Sequence, residues 1–377
     1  MREKVFLYFI VIFSITMPFQ FNLFKINTFF HHYIQLLYKS IAERYFFNVD
    51  LDWLLVSDSI LLYAHLVIVL IIACFLSLIR FPKKISSKVS FALIKYCSYY
   101  LSLMLLIYGC NKLFKYQFFD PHPNTVFMPV GQLTKDFLYW TAIGTSKLYN
   151  SVLGIVEILL AISLWYKPTK VFGSFLAWLV LAHIVLINFA FDINVKVQSI
   201  FLLFVCTVIL LPYLKSMFNF FVGKQSQLKV NVYIKSGKLK LVKAIVIIFI
   251  VLESFYPYLK SNTWNGDNAT KPPHFGAYEI LNNNNFKRFF IHSDPYFIVQ
   301  TVEDEFYSFR MTLSKDKLRL NQNEQESVLS YTKTAEYFLI EGNLFGQTIL
   351  WKSEAIPFQN SPIYQDDFNW FIEQIKD

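Results

Sequence analysis

The sequence is poor in charge, in glycine and in cysteine, and each shortage removes a class of function. Charged residues make up only 16% of the 377 positions, against 55% apolar residues and 41 Phe, a balance outside the range of an ordinary soluble domain. With 11 Gly in all, there is no glycine-rich phosphate loop, and G-x-S-x-G and H-E-x-x-H are also missing. The standard soluble-enzyme chemistries therefore have no motif to stand on. The four cysteines, Cys74, Cys97, Cys110 and Cys206, form no C-x-x-C pair, and all fall in apolar runs. Cys97 and Cys110 are 13 residues apart on one expected helix, about 20 Å, too far to bridge. They read as apolar fillers.

Long hydrophobic runs are abundant. A bilayer core of roughly 30 Å needs about 20 mainly apolar helical residues, and seven candidates have that length: 5–23, 59–79, 91–110, 148–166, 171–190, 197–214 and 242–258. The first has a basic start at Arg2 and Lys4 but no small-x-small cleavage site after its apolar run, so it reads as a retained signal anchor.

The formal charge of +9 is not spread evenly, and its placement points to a bilayer and away from nucleic acid. Counting spans from a cytoplasmic N-terminus, the inside segments hold 15 of the 24 Lys and Arg of the first 256 residues against one acid, Glu3; the segment between the last two spans, together with Lys243 at the start of the last, has seven lysines, read as a topology signal. The expected location is the inner (cytoplasmic) membrane, multi-pass. Trp53, Trp140, Trp165, Tyr166 and Tyr213 mark the ends of spans, as interfacial aromatics do.

From residue 257 onward the balance reverses to 11 basic and 16 acidic residues, so an extracytoplasmic domain is expected there. In "FYSFRMTL" Tyr307, Phe309, Met311 and Leu313 alternate with Ser308, Arg310 and Thr312, which predicts a half-buried strand. Six further segments repeat the pattern at about ten-residue spacing, as a small antiparallel sheet or barrel would. A closing helix over "DDFNWFIEQI", capped by Asp366, completes the reading. The expected fold is mainly α and integral to the membrane, followed by a small C-terminal antiparallel β domain. Its parts are 1–90 (N-terminal spans), 91–222 (a central membrane bundle), 223–258 (the basic loop and last span) and 259–377 (the β-rich domain).

Candidate site residues are the polar groups inside or beside spans. Glu157 in "GIVEILLA" lies near mid-bilayer, where an unpaired carboxylate costs on the order of several kcal/mol, and it is the candidate proton relay. His65 and His183 fall at similar depth on the second and fifth spans; facing imidazoles at one depth ligate haem, and membrane histidines also serve as interhelical hydrogen-bond partners. The other histidines show no metal-ligand spacing. The stretch "NFAFDINVKVQS" packs Asn188, Asp192 and Lys196 into a turn expected outside, level with Lys112.

Three segments resemble one family. "GCNKLFKYQF" at 109–118 resembles the G-x-x-K-x-F-x-x-Q-F opening of DoxX-like membrane proteins, "GIVEILLAISLWYKPTKVFGS" is similar to their glutamate-bearing helix, and "NFAFDINVKVQS" to their N-F-x-[FY]-D-x-x-V-K-x-x-S stretch. The match runs through about 100–215, and "FNWFIEQ" near the end resembles the close of the longer members with an extracytoplasmic tail. The family's proline after the first phenylalanine is replaced here by Lys115. The resemblance implies a four-helix bundle from spans three to six and an association with redox partners, including a subunit of thiosulfate:quinone oxidoreductase. Related bundles that exchange disulfides need a cysteine pair, which is lacking.

Two uses of the polar residues stay open. As a clasp, Asp192 pairs with Lys196 four residues on, or with Lys112 across the bundle, and Asn188 satisfies backbone at the bend. As a mouth, Lys112, Asn188, Asp192 and Lys196 bind a quinone headgroup above Glu157. The expected function is a redox- or quinone-linked membrane subunit. The alternative is a non-catalytic anchor whose β domain binds an envelope protein; a proton-coupled carrier lacks the internal repeat such folds show.

Overall fold

In a computed structural model the residues described are 2–17, 44, 58–79, 82–224, 237–293, 295–322 and 325–365. The chain divides into two units. One comprises Met1–Gln117 with Ser151–Trp264, the other Phe118–Asn150 with Asn265–Asp377.

The first unit is helical. Its elements are α1 (Arg2–Thr16), α2 (Ile60–Ser77) and α3 (Lys83–Leu113). After two short helices of the second unit, α4 (Pro123–Val126) and α5 (Lys135–Gly144), come α6 (Lys147–Ser163), α7 (Lys167–Ala190), α8 (Lys196–Leu210), α9 (Leu214–Phe221) and α10 (Gly237–Ser261). Among the described residues, α2, α3, α7, α8 continued into α9, and α10 are long and apolar enough to cross a membrane, which makes five. A sixth follows if α5 and α6, bent 95° at a short break, count as one span. Seven were expected. The difference lies in α6, whose 17 residues fall just short alone, and in the first run, described as a helix only through Thr16.

These helices carry large apolar side chains on their surface as well as inside. α2 is capped by Ser59, whose Oγ accepts from Leu62 N at 3.2 Å, yet Ile60, Tyr63, Val67 and Phe75 on it remain exposed. An apolar surface of that kind suits hydrocarbon, and backbone groups closed within helices suit it equally. α3 is the hub: α1, α8 and α10 all pack on it. α6 joins through two glycines, since a Cβ on Gly109 would stand 2.8 Å from Gly154 O and one on Gly154 2.6 Å from Gly109 O. Small residues let helices approach where no hydrophobic force drives them together. Ser102 Oγ donates to Ala161 O at 3.0 Å and receives Trp165 Nε1 at 2.6 Å, fixing the register of that crossing.

The second unit is built on a closed antiparallel barrel: β1 (Gly276–Ile280), β2 (Phe286–Ile291), β3 (Tyr296–Thr301), β4 (Phe306–Leu313), β5 (Lys317–Gln322), β6 (Gln325–Lys333), β7 (Phe338–Leu344) and β8 (Gln347–Ile356). Each strand pairs with the next, and β1 closes on β8 with Tyr278 opposite Ala355. Closure removes free edges. Phe345 and Gly346, at φ 57° and 75°, make the two-residue turn between β7 and β8, as the strand twist demands. Phe289, Phe297, Phe338 and Trp351 fill the interior.

β4 and β5 alternate buried and exposed residues, whereas β3 is buried at four consecutive positions, Phe297 to Gln300. The outer face of β1 to β3 is covered. Ala277, Phe290, Ile298 and Phe358 form a second cluster there, joined by Phe127 from the segment before α5. Phe127 stacks on Phe290 with ring centroids at 5.9 Å, lies 4.5 Å beneath the Arg288 guanidinium, and gives its carbonyl to Gln300 Nε2 at 3.2 Å. Tyr364 Oη donates to Pro121 O beside it. The closing helix expected after Asp366 lies outside the described residues.

Candidate functional site

Glu157 and Lys112 meet inside the helical unit. The α3–α6 glycine contact brings the end of α3 against the middle of α6, so Lys112 Nζ reaches both carboxylate oxygens, at 3.0 and 2.9 Å. The residues are 6% and 3% exposed. Desolvating two charges costs several kcal/mol each, which only close, well-aligned pairing offsets; the two-oxygen contact provides it. Lys112 therefore does not join Asp192.

The surroundings of the pair are aromatic and amide groups. Lys112 Nζ stands 5.5 Å from the centroid of the Tyr108 ring. Tyr100, Met104, Tyr108 and Lys112 recur at four-residue intervals, one stripe of α3. Opposite it on α8 is Gln198, buried, with its side chain facing the Tyr100 and Tyr108 hydroxyls. Among the described residues, Gln198 Oε1, Gln198 Nε2 and Tyr100 Oη make no hydrogen bond of acceptable geometry. Buried groups of this kind cost about 1–3 kcal/mol each when left unmade.

The other expected residues gather elsewhere. Lys196 Nζ holds Asp192 Oδ1 at 2.7 Å, four residues back, but the Asp192 side chain is 82% exposed. Asp58, just before α2, is the less exposed acid of that cluster, its side chain 10% exposed against 82% for Asp192. Its carboxylate accepts Lys196 N at 2.7 Å and Val197 N at 2.9 Å, occupying the N-terminus of α8, and Lys196 Nζ stands 4.0 Å away. Opposite charge at the positive end of a helix dipole explains the choice. Asn188 accepts Ile193 N through its backbone carbonyl at 2.9 Å, while its buried Nδ2 makes no bond among the described residues. His65 and His183 have different environments: His65 is buried against Phe13 with its Nε2 2.9 Å from Thr16 Oγ1, and His183 is exposed on α7.

Sequence reasoning passed over Tyr100, Tyr108, Gln198, Asp58 and Glu253. The four-residue interval back from Lys112 was the available signal for the tyrosines. Glu253 is fully buried on α10, which packs against α3, and an acid that deep in an apolar run was equally visible. Among the described residues no three His, Cys, Asp or Glu side chains converge as a metal site would require.

Fold and site define a helical protein compatible with embedding in a membrane, carrying a closed β-barrel unit and a buried Lys–Glu pair. No family model matches the chain, and no solved structure matches it. Over 111 residues, 29% of this chain and 70% of its relative, it is 31% identical to the uncharacterized protein YwoB of Bacillus subtilis (strain 168). The chain belongs to the family of that protein.

Proposed function

We propose that the protein is a redox-linked, multi-pass membrane subunit that binds a quinone headgroup beside Lys112 and Glu157. The observation that carries this reading is the unbonded Gln198 amide facing Tyr100 and Tyr108. A bound quinone supplies a lipid-soluble carrier of two electrons and two protons. Gln198 Nε2 and the Tyr100 hydroxyl are the donors for its carbonyl oxygens, and the apolar flanks of α3 and α8 receive its tail. Lys112 neutralises Glu157 and keeps its carboxylate in place, and that carboxylate is where a proton is held. The resemblance to DoxX-like proteins supports the redox setting. The same reading puts the N-terminus in the cytoplasm and the barrel outside. A phosphatase fused after Asp377 is then active, and a reporter at Lys224 behaves as cytoplasmic; the reverse pattern overturns that orientation.

Quinone extracted from protein purified out of its native membrane tests the site. Gln198→Leu should lose the retained quinone at nearly unchanged melting temperature, and Glu157→Gln should keep it. Retention indifferent to Gln198 would sink the proposal. One observation favours a second reading, a membrane anchor whose barrel binds an envelope protein: Lys112 already neutralises Glu157, so the pair serves the fold unaided. On that reading Lys112→Met alone costs about 3–5 kcal/mol, while Lys112→Met with Glu157→Met restores stability and changes nothing else.

A further inference from the structure

The helix α5 inverts the usual aqueous pattern. Its Tyr139 and Trp140 turn towards Phe118, with ring centroids at 6.2 and 4.7 Å, and Gly144 abuts the Phe119 carbonyl, which would lie 2.1 Å from a Cβ there. The opposite face leaves Phe137, Leu138 and Ala142 exposed beside Lys135. The first turn of α6 continues the pattern, with Lys147, Leu148 and Tyr149 exposed. The bend between them is built in: the buried Asn150 gives its Nδ2 to Ile143 O at 2.8 Å and to Ser146 O at 2.9 Å, satisfying carbonyls that the end of α5 leaves open. The turn is 95°.

We infer that α5 is an interfacial helix, lying flat at the boundary between lipid headgroups and acyl chains with Phe137, Leu138 and Ala142 turned to the lipid. The inference rests on α6 crossing the membrane, because a right-angle corner at the end of a crossing helix lays the preceding helix along the surface. Composition fits that depth: lysines at both ends and Trp and Tyr between them are the residues of the bilayer interface. A second copy of the chain is the poorer occupant, since one face of a ten-residue helix falls well short of the roughly 800 Å² per partner that a stable interface buries.

Full-length protein in nanodiscs of phosphatidylcholine and phosphatidylglycerol tests this with a photo-crosslinking benzoylphenylalanine placed singly at Phe137, Leu138, Trp140 or Leu159. Leu159 is exposed on α6 and reports on the span itself. Phospholipid adducts at 137, 138 and 159, with little at 140, are expected. Adducts at 159 alone, or crosslinks from 137 and 138 to a second chain, overturn the interfacial helix and leave the span standing; none at 159 overturns the span as well. Spin labels on Leu138→Cys and Ala142→Cys, with the four native cysteines replaced by alanine, give a second measurement. Equal immersion depths support a flat helix, and a difference of about 6 Å, four residues of rise, means that it stands upright.

Discussion

Asp58 and Asp192 approach the same turn, yet burial gives them unequal weight. Asp192 is exposed and occupies the left-handed region at φ 54°, which Asn tolerates well. Its bond to Lys196 is a surface pair of the kind worth about 0–1 kcal/mol. Asp58 terminates the α8 backbone with two short bonds, and loss of a cap costs about 0.5–2 kcal/mol. Asp58→Ala should therefore lower the unfolding midpoint in detergent clearly more than Asp192→Asn does, and the opposite order would return the weight to Asp192. A second residue-scale effect concerns pH. His274 in the barrel unit has its pKa lowered from 6.5 by burial first and by Lys333 second. Below pH 6.5 the folded state binds fewer protons than the unfolded one, so stability should rise with pH through that window and level off above it. His274→Asn, suited to the φ of 64° at this position, should flatten the slope in denaturant titrations between pH 5 and 7.5; a slope left intact would assign it to other groups.

At the scale of elements, the α3–α6 crossing governs the candidate site. Backbone lies where a Cβ on Gly154 would go, with Gly109 O at 2.6 Å and Leu113 N at 2.8 Å, so no side-chain movement relieves it. Gly154→Ala should separate the helices, cost about 1–3 kcal/mol, and lengthen the Lys112–Glu157 contact. Unfolding in detergent measures the first, and the reactivity of Lys112 towards amine reagents measures the second, rising if the pair opens. Unchanged stability would mean that the crossing does not set the approach. Among strands, legibility followed burial. β4 was readable because one face is buried and the other is not. β5, "KLRLNQ", went unread because only Leu318 and Leu320 mark its inner face between charged residues.

For the whole molecule, the decisive fact is that the second unit draws on two stretches of chain more than a hundred residues apart. Phe127, contributed by the earlier stretch, lies on the outer cluster of β1 to β3. Phe127→Ala should lower the stability of that unit by about 1–3 kcal/mol, the scale of one large apolar side chain lost from a packed site. Hydrogen exchange in the full-length protein should show the loosening in β2 and β3 and leave α7 and α8 unchanged. Loosening spread evenly over both units would mean that they unfold together.

Much of this protein is local in sequence. A helix closes its own hydrogen bonds and a strand shows its buried face every second residue, so the apolar runs, the change in composition near residue 257 and most strands could be read from the chain alone. The resemblance at 109–118, 154–174 and 188–199 drew on local order too, and it named Lys112, Glu157, Asp192 and Lys196 without saying which would meet. Pairing was decided by tertiary structure. Lys112 takes Glu157 over Asp192 because two glycines on different helices let backbones touch, and Asp58 enters the turn at Lys196 from a stretch 138 residues earlier. Barrel closure, the cover over β3 and the unbonded amide of Gln198 are likewise properties of distance in space, which a linear pattern does not encode.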